Sequence, residues 1–479
     1  MAEFSFFWHD YETFGLVPRR DRPAQFAGIR TDADLNEIDQ PVVQHCRPAT
    51  DYLPDPESCL LTGITPQHCL QHGVVERDFA AAIEHQLARP GTVGVGYNSI
   101  RFDDEVTRFL FWRNLIDPYA REWQNECGRW DILDVTRCCW ALRPGGVEWP
   151  NNEDGTPSFK LEHLSAANGL THDLAHDALS DVRATLALAR LIRARQPKLW
   201  QFCLKLRRKE AVIAEMGVDR PFIHLSGRYP VERGCLAVVW PLAPHPTNRN
   251  ELIVWDLMSD PSAMFDLNAT TIRERLFTRS DDLPDGIDRL PIKTIHLNKC
   301  PIVIGNLNTL GPAAERWGID LARVQRHAEL ARQRANSMFG IWPEVFERTE
   351  PEAAPDVDQD LYGGFLGNED RRALARLRAL PPRQLADKHP AFADDRLEEL
   401  LFRFRARNHS DTLTQQEHSR WAEHRVRRLR GGTGGGLTLA TYFERIDVLM
   451  QTADEHGRRI LRLLREYGQS IAPPPEAGV

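Results

Sequence analysis

The segment FFWHDYETFG, residues 6–15, decides the fold and points to the chemistry. It is apolar on both faces, as a strand buried on both sides of a sheet must be. Yet it carries two acids, Asp10 and Glu12. On a strand, residues i and i+2 project from the same face, so the two carboxylates stand side by side. Two like charges that close repel, and ionising both away from water is costly. A divalent cation between them removes the conflict, and an all-oxygen donor set suits Mg²⁺ or Mn²⁺.

Other elements extend outward from this strand. QFAGIRTD (25–32) and PVVQHCRP (41–48) are strand-like and separated by a polar turn, which predicts an antiparallel meander. TVGVGYN (92–98) predicts a fourth strand, and DDEVTRFLFWRNL (103–115) has the apolar spacing of a helix. DALSDVRATLALARLIRAR (177–195) predicts an amphipathic helix with Asp177 as its N-cap. Alternating strands and helices make the first part an α/β domain. From 210 to about 345 the short runs broken by Pro, Gly and Asn predict a mostly β second domain. EPEAAPDVDQD (350–360) reads as an acidic linker. Helical segments follow, interrupted by GGTGGG (431–436), and the end APPPEAGV reads as a disordered tail.

The 479 residues allow two to four domains, and the 42% hydrophobic and 27% charged content is that of a soluble globular protein. No run is long enough to span a bilayer and the N-terminus carries no secretory pattern. Nine cysteines without a CxxC pair predict reduced thiols, hence a cytoplasmic protein, and exclude a disulfide scaffold or a thiolate zinc site. The net charge of −8 weighs mildly against a nucleic-acid partner, but a local basic groove can bind phosphates on an acidic molecule.

Three further acids and a histidine stand where strands or loops meet helices. Asp103 and Asp104 open the second predicted helix, as N-caps or as functional carboxylates. His176 precedes the 177–195 helix and Asp181 lies inside it. Five residues apart, His176 and Asp181 converge only if the histidine sits outside the helix.

A strand-borne Asp-x-Glu, an Asn-x₃-Phe-Asp and a His-x₄-Asp, in this order, resemble the DEDDh exonuclease superfamily, whose fold is RNase H-like. The second motif, Asn98 to Phe102 and Asp103, selects Asp103 over Asp104. HDYETFG, DRPAQFA, LTGITP, GYNSIRFDDEVTR, GRWDILDV, ALRPGGVEWP, PSFKLEHL, AHDALSDV, NKCP and FRARN are similar to bacterial exodeoxyribonuclease I over nearly the whole chain. The resemblance implies an exonuclease domain (1–197), a Src-homology-3-like mostly β domain (198–349) and a helical C-terminal domain (350–472), with a disordered 473–479 tail.

It also implies an activity: processive 3′ to 5′ hydrolysis of single-stranded DNA to nucleoside 5′-monophosphates in DNA repair and recombination. Asp10, Glu12 and Asp181 would ligate two Mg²⁺ ions, with Mn²⁺ able to substitute, Asp103 would complete the acidic cluster, and His176 would be the general base. Glu12, Arg108, Tyr119, Trp123, Arg137 and Lys160 would hold the DNA, with Lys299, Tyr362, Arg405 and Arg407 as weaker candidates. Lys160 stands where the family has arginine, so it loses the bidentate fork. Trp130 and Trp140 read as core, and the basic runs 205–209 and 423–430 as solvated helix faces. Implied partners are single-stranded DNA and the acidic C-terminal tail of single-stranded DNA-binding protein, bound by a monomer. The competing readings are an exoribonuclease or proofreading enzyme of the same superfamily, and a catalytically silent clamp on DNA ends.

Overall fold

A computed structural model describes residues 4–170, 177–347, 355–388 and 390–474. The chain divides into two compact units. One comprises Met1–Gly128, His172–Arg183 and Glu352–Val479; the other comprises Arg129–Thr171 and Ala184–Pro351.

The first unit is built on the strand of the opening segment. β1 (Ser5–Thr13) pairs antiparallel with β2 (Pro23–Thr31), which pairs antiparallel with β3 (Val42–His45). β4 (Thr92–Gly96) joins β1 on its other side in parallel, so the order within this unit is β3-β2-β1-β4, and β5 (Gly128–Asp131) follows in the chain at the boundary of the two units. The meander is therefore present, and the parallel pairing of β4 with β1 is reached through a crossover that includes the Glu76–Leu87 helix. Phe7, Tyr11 and Phe26 of the sheet pack with Phe79, Ile83, Leu110 and Phe111 of the covering helices. β1 is apolar on both faces because both are covered: all of its residues but Asp10 are buried.

The C-terminal helices complete this unit. Leu461, Leu464 and Tyr467 of the Glu455–Ile471 helix share a core with Phe14, Tyr52 and Cys59. Leu397, Leu400 and Phe404 of the Arg396–Asn408 helix share another with Phe109 and Trp112. The GGTGGG break is a turn with left-handed Gly432, Gly434 and Gly435, where Gly435 O accepts from Arg20 Nη1 at 3.1 Å.

Three expectations change here. The acidic 350–360 segment is no solvated linker where it is described: Asp358 is 1% exposed and meets Arg22, Arg403, Arg407 and Arg428. Four guanidiniums supply the charge that lets a carboxylate stay buried. Arg405 and Arg407 are correspondingly not free for DNA. Arg405 binds Glu417, which closes the capping box of the Gln415–Leu429 helix, and Arg407 binds Asp51 and Asp358. Arg428, in a run read as a solvated face, is buried for the same reason.

The second unit holds an antiparallel sheet: β6 (Phe222–Leu225), β7 (Leu236–Pro244), β8 (Glu251–Asp256), β9 (Ile292–His296) and β10 (Ile302–Ile304), in the order β10-β6-β7-β8-β9. The expected mostly β domain needs correction at its end, because the Leu321–Arg334 segment is a helix. Asp320 caps it, and Val324, Ala328 and Ala331 bury one face at helical spacing. Trp130 and Trp140 are core residues. All nine cysteines are unpaired and buried, and among the described residues no helix is long and apolar enough to cross a membrane.

Candidate metal centre and nucleic-acid interface

β1 delivers Asp10 and Glu12 to one face, and a bulge in the β1–β2 ladder follows directly after Glu12. The Ala178–Arg195 helix brings in Asp181 during its first turn. One carboxylate oxygen from each of Asp10, Glu12 and Asp181 lies within 4.8 Å of the others. Glu12 is buried and the other two are half-buried.

Asp103 reaches the same place by another route. Asn98 adopts a left-handed conformation and starts the turn that joins β4 to the Asp103–Arg113 helix. Gly96 is required before it, since a Cβ there would lie 3.0 Å from His9 O on the adjoining strand. Asp103 is the first residue of the helix but is not its cap: its Oδ1 accepts from Tyr11 N at 3.1 Å, between the two β1 acids. Asp104 points elsewhere, into a buried ion pair with Arg121 at 2.6 Å.

Electrostatics express the crowding. Burial, then Asp103, Glu12 and Asp181, push the Asp10 carboxyl well above its usual range. Burial and then Asp181 and Asp177 push Glu12 up to about 8. Such a set relaxes when a cation supplies positive charge, and hard oxygen donors fit Mg²⁺ or Mn²⁺. His176 lies outside the described residues. The neighbouring His9 is buried, its pKa lowered to about 4 by burial and by Arg121, and as the residue before Asp10 on β1 it projects from the opposite face of the strand. Asp177 caps the Asp181 helix, its Oδ2 accepting from Ser180 N at 3.2 Å.

The residues expected to hold DNA differ in how free they are. In the first unit Trp123 is 63% and Tyr362 56% exposed, and Tyr119 is half-buried. Arg108 is not an open cation. It forks onto Glu122 at 2.7 and 2.9 Å, binds Glu105 at 2.7 Å and the Tyr362 hydroxyl at 3.0 Å, and lies over the Tyr119 ring. The Tyr362 hydroxyl in turn donates to Glu105. Phe365 was not singled out from sequence, although it lies in the same LYGGF stretch as Tyr362. It is 82% exposed, and its ring centroid is 5.8 Å from that of Tyr119. In the second unit Arg137 pairs with Asp134 at 2.7 Å and covers Phe159, Lys160 is exposed, and Lys299 is half-buried in the turn after β9.

Known proteins resemble this chain along nearly its whole length. The family model "Exonuclease" matches residues 7–189, "Exonuclease I SH3-like domain" 207–348 and "Exonuclease I C-terminal domain" 355–471. Exodeoxyribonuclease I of Escherichia coli (strain K12) is 44% identical over 473 residues, 98% of each chain. The structure of a moderately thermophilic exonuclease I from Methylocaldum szegediense superposes with a TM-score of 0.93 at 49% identity, covering 98% of this chain and 99% of that one. E. coli exonuclease I in complex with a dA16 oligonucleotide gives 0.92 at 43%, covering 98% and 100%. Two further E. coli exonuclease I structures, one a zinc-bound complex with single-stranded DNA and one described as SSB/exonuclease I with an inhibitor, match at 42% and 41% identity. The first has a TM-score of 0.91 and the second 0.89, each covering 98% of this chain and 100% of that one. With every domain matched in order, this chain belongs to the exodeoxyribonuclease I family of exonucleases.

Proposed function

We propose that this exonuclease degrades single-stranded DNA processively from the 3′ end, releasing nucleoside 5′-monophosphates with two bound Mg²⁺ ions, in DNA repair and recombination. The observation that carries the reading is the convergence of Asp10, Glu12 and Asp181, with Asp103 held beside them by Tyr11 N. Asp10, Glu12 and Asp181 hold the ions and Asp103 completes the acidic set. Bound there, divalent cations supply Lewis-acid stabilisation of the phosphoryl oxygens and of the departing 3′ oxygen. His176 takes a proton from the attacking water. The water oxygen bonds to phosphorus as the P–O3′ bond breaks, leaving the phosphate on the released nucleotide and a 3′-hydroxyl on the shortened strand.

Trp123, Tyr119, Tyr362 and Phe365 stack bases, which suits a strand-specific but sequence-tolerant enzyme. Arg108 acts by holding Tyr119 and Tyr362 in place. Arg137, Lys160 and Lys299 meet phosphates. The division at 197 and 349, a cytoplasmic location and a monomeric state complete the reading. A cavity of about 540 Å³ in the second unit is lined by Leu142, Pro197, Leu199 and Phe202 together with Arg143, Lys198 and one acid, Glu215. Apolar walls with two cations suit the acidic C-terminal tail of single-stranded DNA-binding protein, and Arg143→Ala should weaken binding of a tail peptide.

The deciding experiment follows a 5′-labelled single-stranded oligomer with Mg²⁺, wild type beside Asp181→Ala, with duplex and RNA controls. Stepwise 3′ shortening of single-stranded DNA by the wild type alone supports the reading. Equal action on RNA would favour the exoribonuclease, and tight binding without shortening the silent clamp.

A further inference from the structure

Gln25 stands opposite Glu12 in the β1–β2 ladder. Directly opposed residues of paired strands project from the same face, so its side chain rises beside the Glu12 carboxylate. It is buried, and its amide makes two hydrogen bonds to the entry of the helix that carries Asp181. Nε2 donates to Asp177 Oδ1 at 3.1 Å, and Oε1 accepts from Ala178 N at 3.1 Å. Asp177 passes the connection on. Its Oδ2 accepts from Ser180 N, and its carbonyl accepts from Asp181 N at 3.1 Å. A continuous hydrogen-bonded path therefore runs from the strand pair bearing two of the acids to the helical turn bearing the third. Gln25 and Asp177 are 152 positions apart, so no local chain geometry keeps these elements in register.

That connection opposes a force. Asp10, Glu12 and Asp181 repel one another, and Asp177 adds a further negative charge close by. A helix entry free to move would carry Asp181 away from β1. Glutamine is suited to prevent this: one neutral amide satisfies a carboxylate with its N–H and a backbone N–H with its oxygen.

We propose that Gln25 is the positioning residue of the metal centre, fixing the Asp181 helix against β1 and so setting the affinity of the acidic triad for its cation. The role assigned to it is in holding the metal ligands, with no part in binding DNA. This rests on the reading of the triad as cation ligands. Partners that orient metal ligands from behind typically change metal affinity or activity 10–100-fold when removed.

The test is calorimetric titration of the full-length protein with Mn²⁺ alone, in wild type, Gln25→Met and Asp181→Asn, with steady-state degradation of an oligomer as a second readout. Gln25→Met keeps the length and removes both hydrogen bonds. The expected result is Mn²⁺ affinity lowered 10–100-fold. The half-saturating metal concentration for degradation should rise by the same factor, with KM for DNA unchanged and the rate recovered at high metal. A merely structural role would not split metal dependence from KM in this way. Gln25→Asn, polar but one methylene too short to span both partners, gives the same result and serves if the Met variant does not fold. Wild-type Mn²⁺ affinity in both Gln25 variants, with binding lost in Asp181→Asn, overturns the proposal alone. Undiminished binding in Asp181→Asn overturns the cation reading, and the proposal with it.

Discussion

Arg407 and Asp51 lie 356 positions apart in the sequence, and Arg407 Nη2 donates to Asp51 Oδ2 at 2.7 Å. The same guanidinium binds Asp358, and all three side chains are almost fully buried. Removing one member of such a set leaves the others as uncompensated charges, at a cost of about 3–5 kcal/mol. Arg407→Met should therefore lower unfolding free energy by about that much in denaturant titrations at pH 7.

The pH dependence of that variant has a defined sign. Burial alone would raise Asp51, but Arg407, His424 and Arg428 outweigh it and hold it well below the usual carboxylate range. Asp358 is held down likewise against burial by Arg407, Arg403 and Arg22. A carboxyl depressed in the folded state stabilises above its unfolded pKa, and that contribution is lost as pH falls through the folded value. In the wild type it survives to strongly acidic pH. In Arg407→Met the two acids take up protons more readily, so the deficit against wild type should be smaller at pH 4.5 than at pH 7. An equal deficit at both would refute it.

The metal centre behaves in the opposite sense. Glu12 is raised to about 8, above its ordinary value. Folded protein without metal then binds more protons than unfolded chain between those two values. This stabilisation is fully present below the unfolded pKa and is lost as pH rises through about 8. A cation needs the ionised acids, so the rise in melting temperature on replacing EDTA by Mg²⁺ should grow from pH 5.5 to 8.5. Asp181→Asn should flatten that growth.

Asp181→Asn also tests the chemistry. If Asp181 binds the cation directly, as proposed, its loss should remove several kcal/mol of transition-state stabilisation, roughly a thousandfold in rate. Asp103→Asn should cost less, because Asn keeps an oxygen to accept from Tyr11 N. Single-turnover cleavage at saturating metal compares the two, and equal losses would make Asp103 a direct ligand.

Strand binding should separate into stacking and charge. Phe365→Ala and Trp123→Ala should each cost about 1–3 kcal/mol of affinity for single-stranded DNA, with the salt dependence unchanged. Lys160→Ala should cost less at high salt and reduce the slope of log affinity against log salt by about 0.7. Fluorescence anisotropy across a salt series resolves both effects.

How much could be read from the chain depended on the range of the interaction. Asp10 and Glu12 share a face through strand alternation alone, and the spacing of His176, Asp177 and Asp181 places a cap before a helix. These are local relations. Asp358 looked solvated because its neighbours are acids and proline, whereas its partners Arg22, Arg403, Arg407 and Arg428 come from three distant segments. Arg108 looked available because Glu122 and Tyr362 reach it only in the fold. Gln25 carried no signal, since a glutamine in a strand is unremarkable until the helix it grips is in place.

The shared core of Phe14, Tyr52 and Cys59 with Leu461, Leu464 and Tyr467 has a consequence for biosynthesis. The carboxylates of β1 are translated long before the Glu455–Ile471 helix, yet the unit around them lacks a wall until that helix is made. Domains normally fold as units while the chain emerges. A chain that stops before the Glu455–Ile471 helix carries an unfinished core. Truncation before residue 455 should therefore lower the stability of the whole unit that holds the acids, although every one of those acids has been translated.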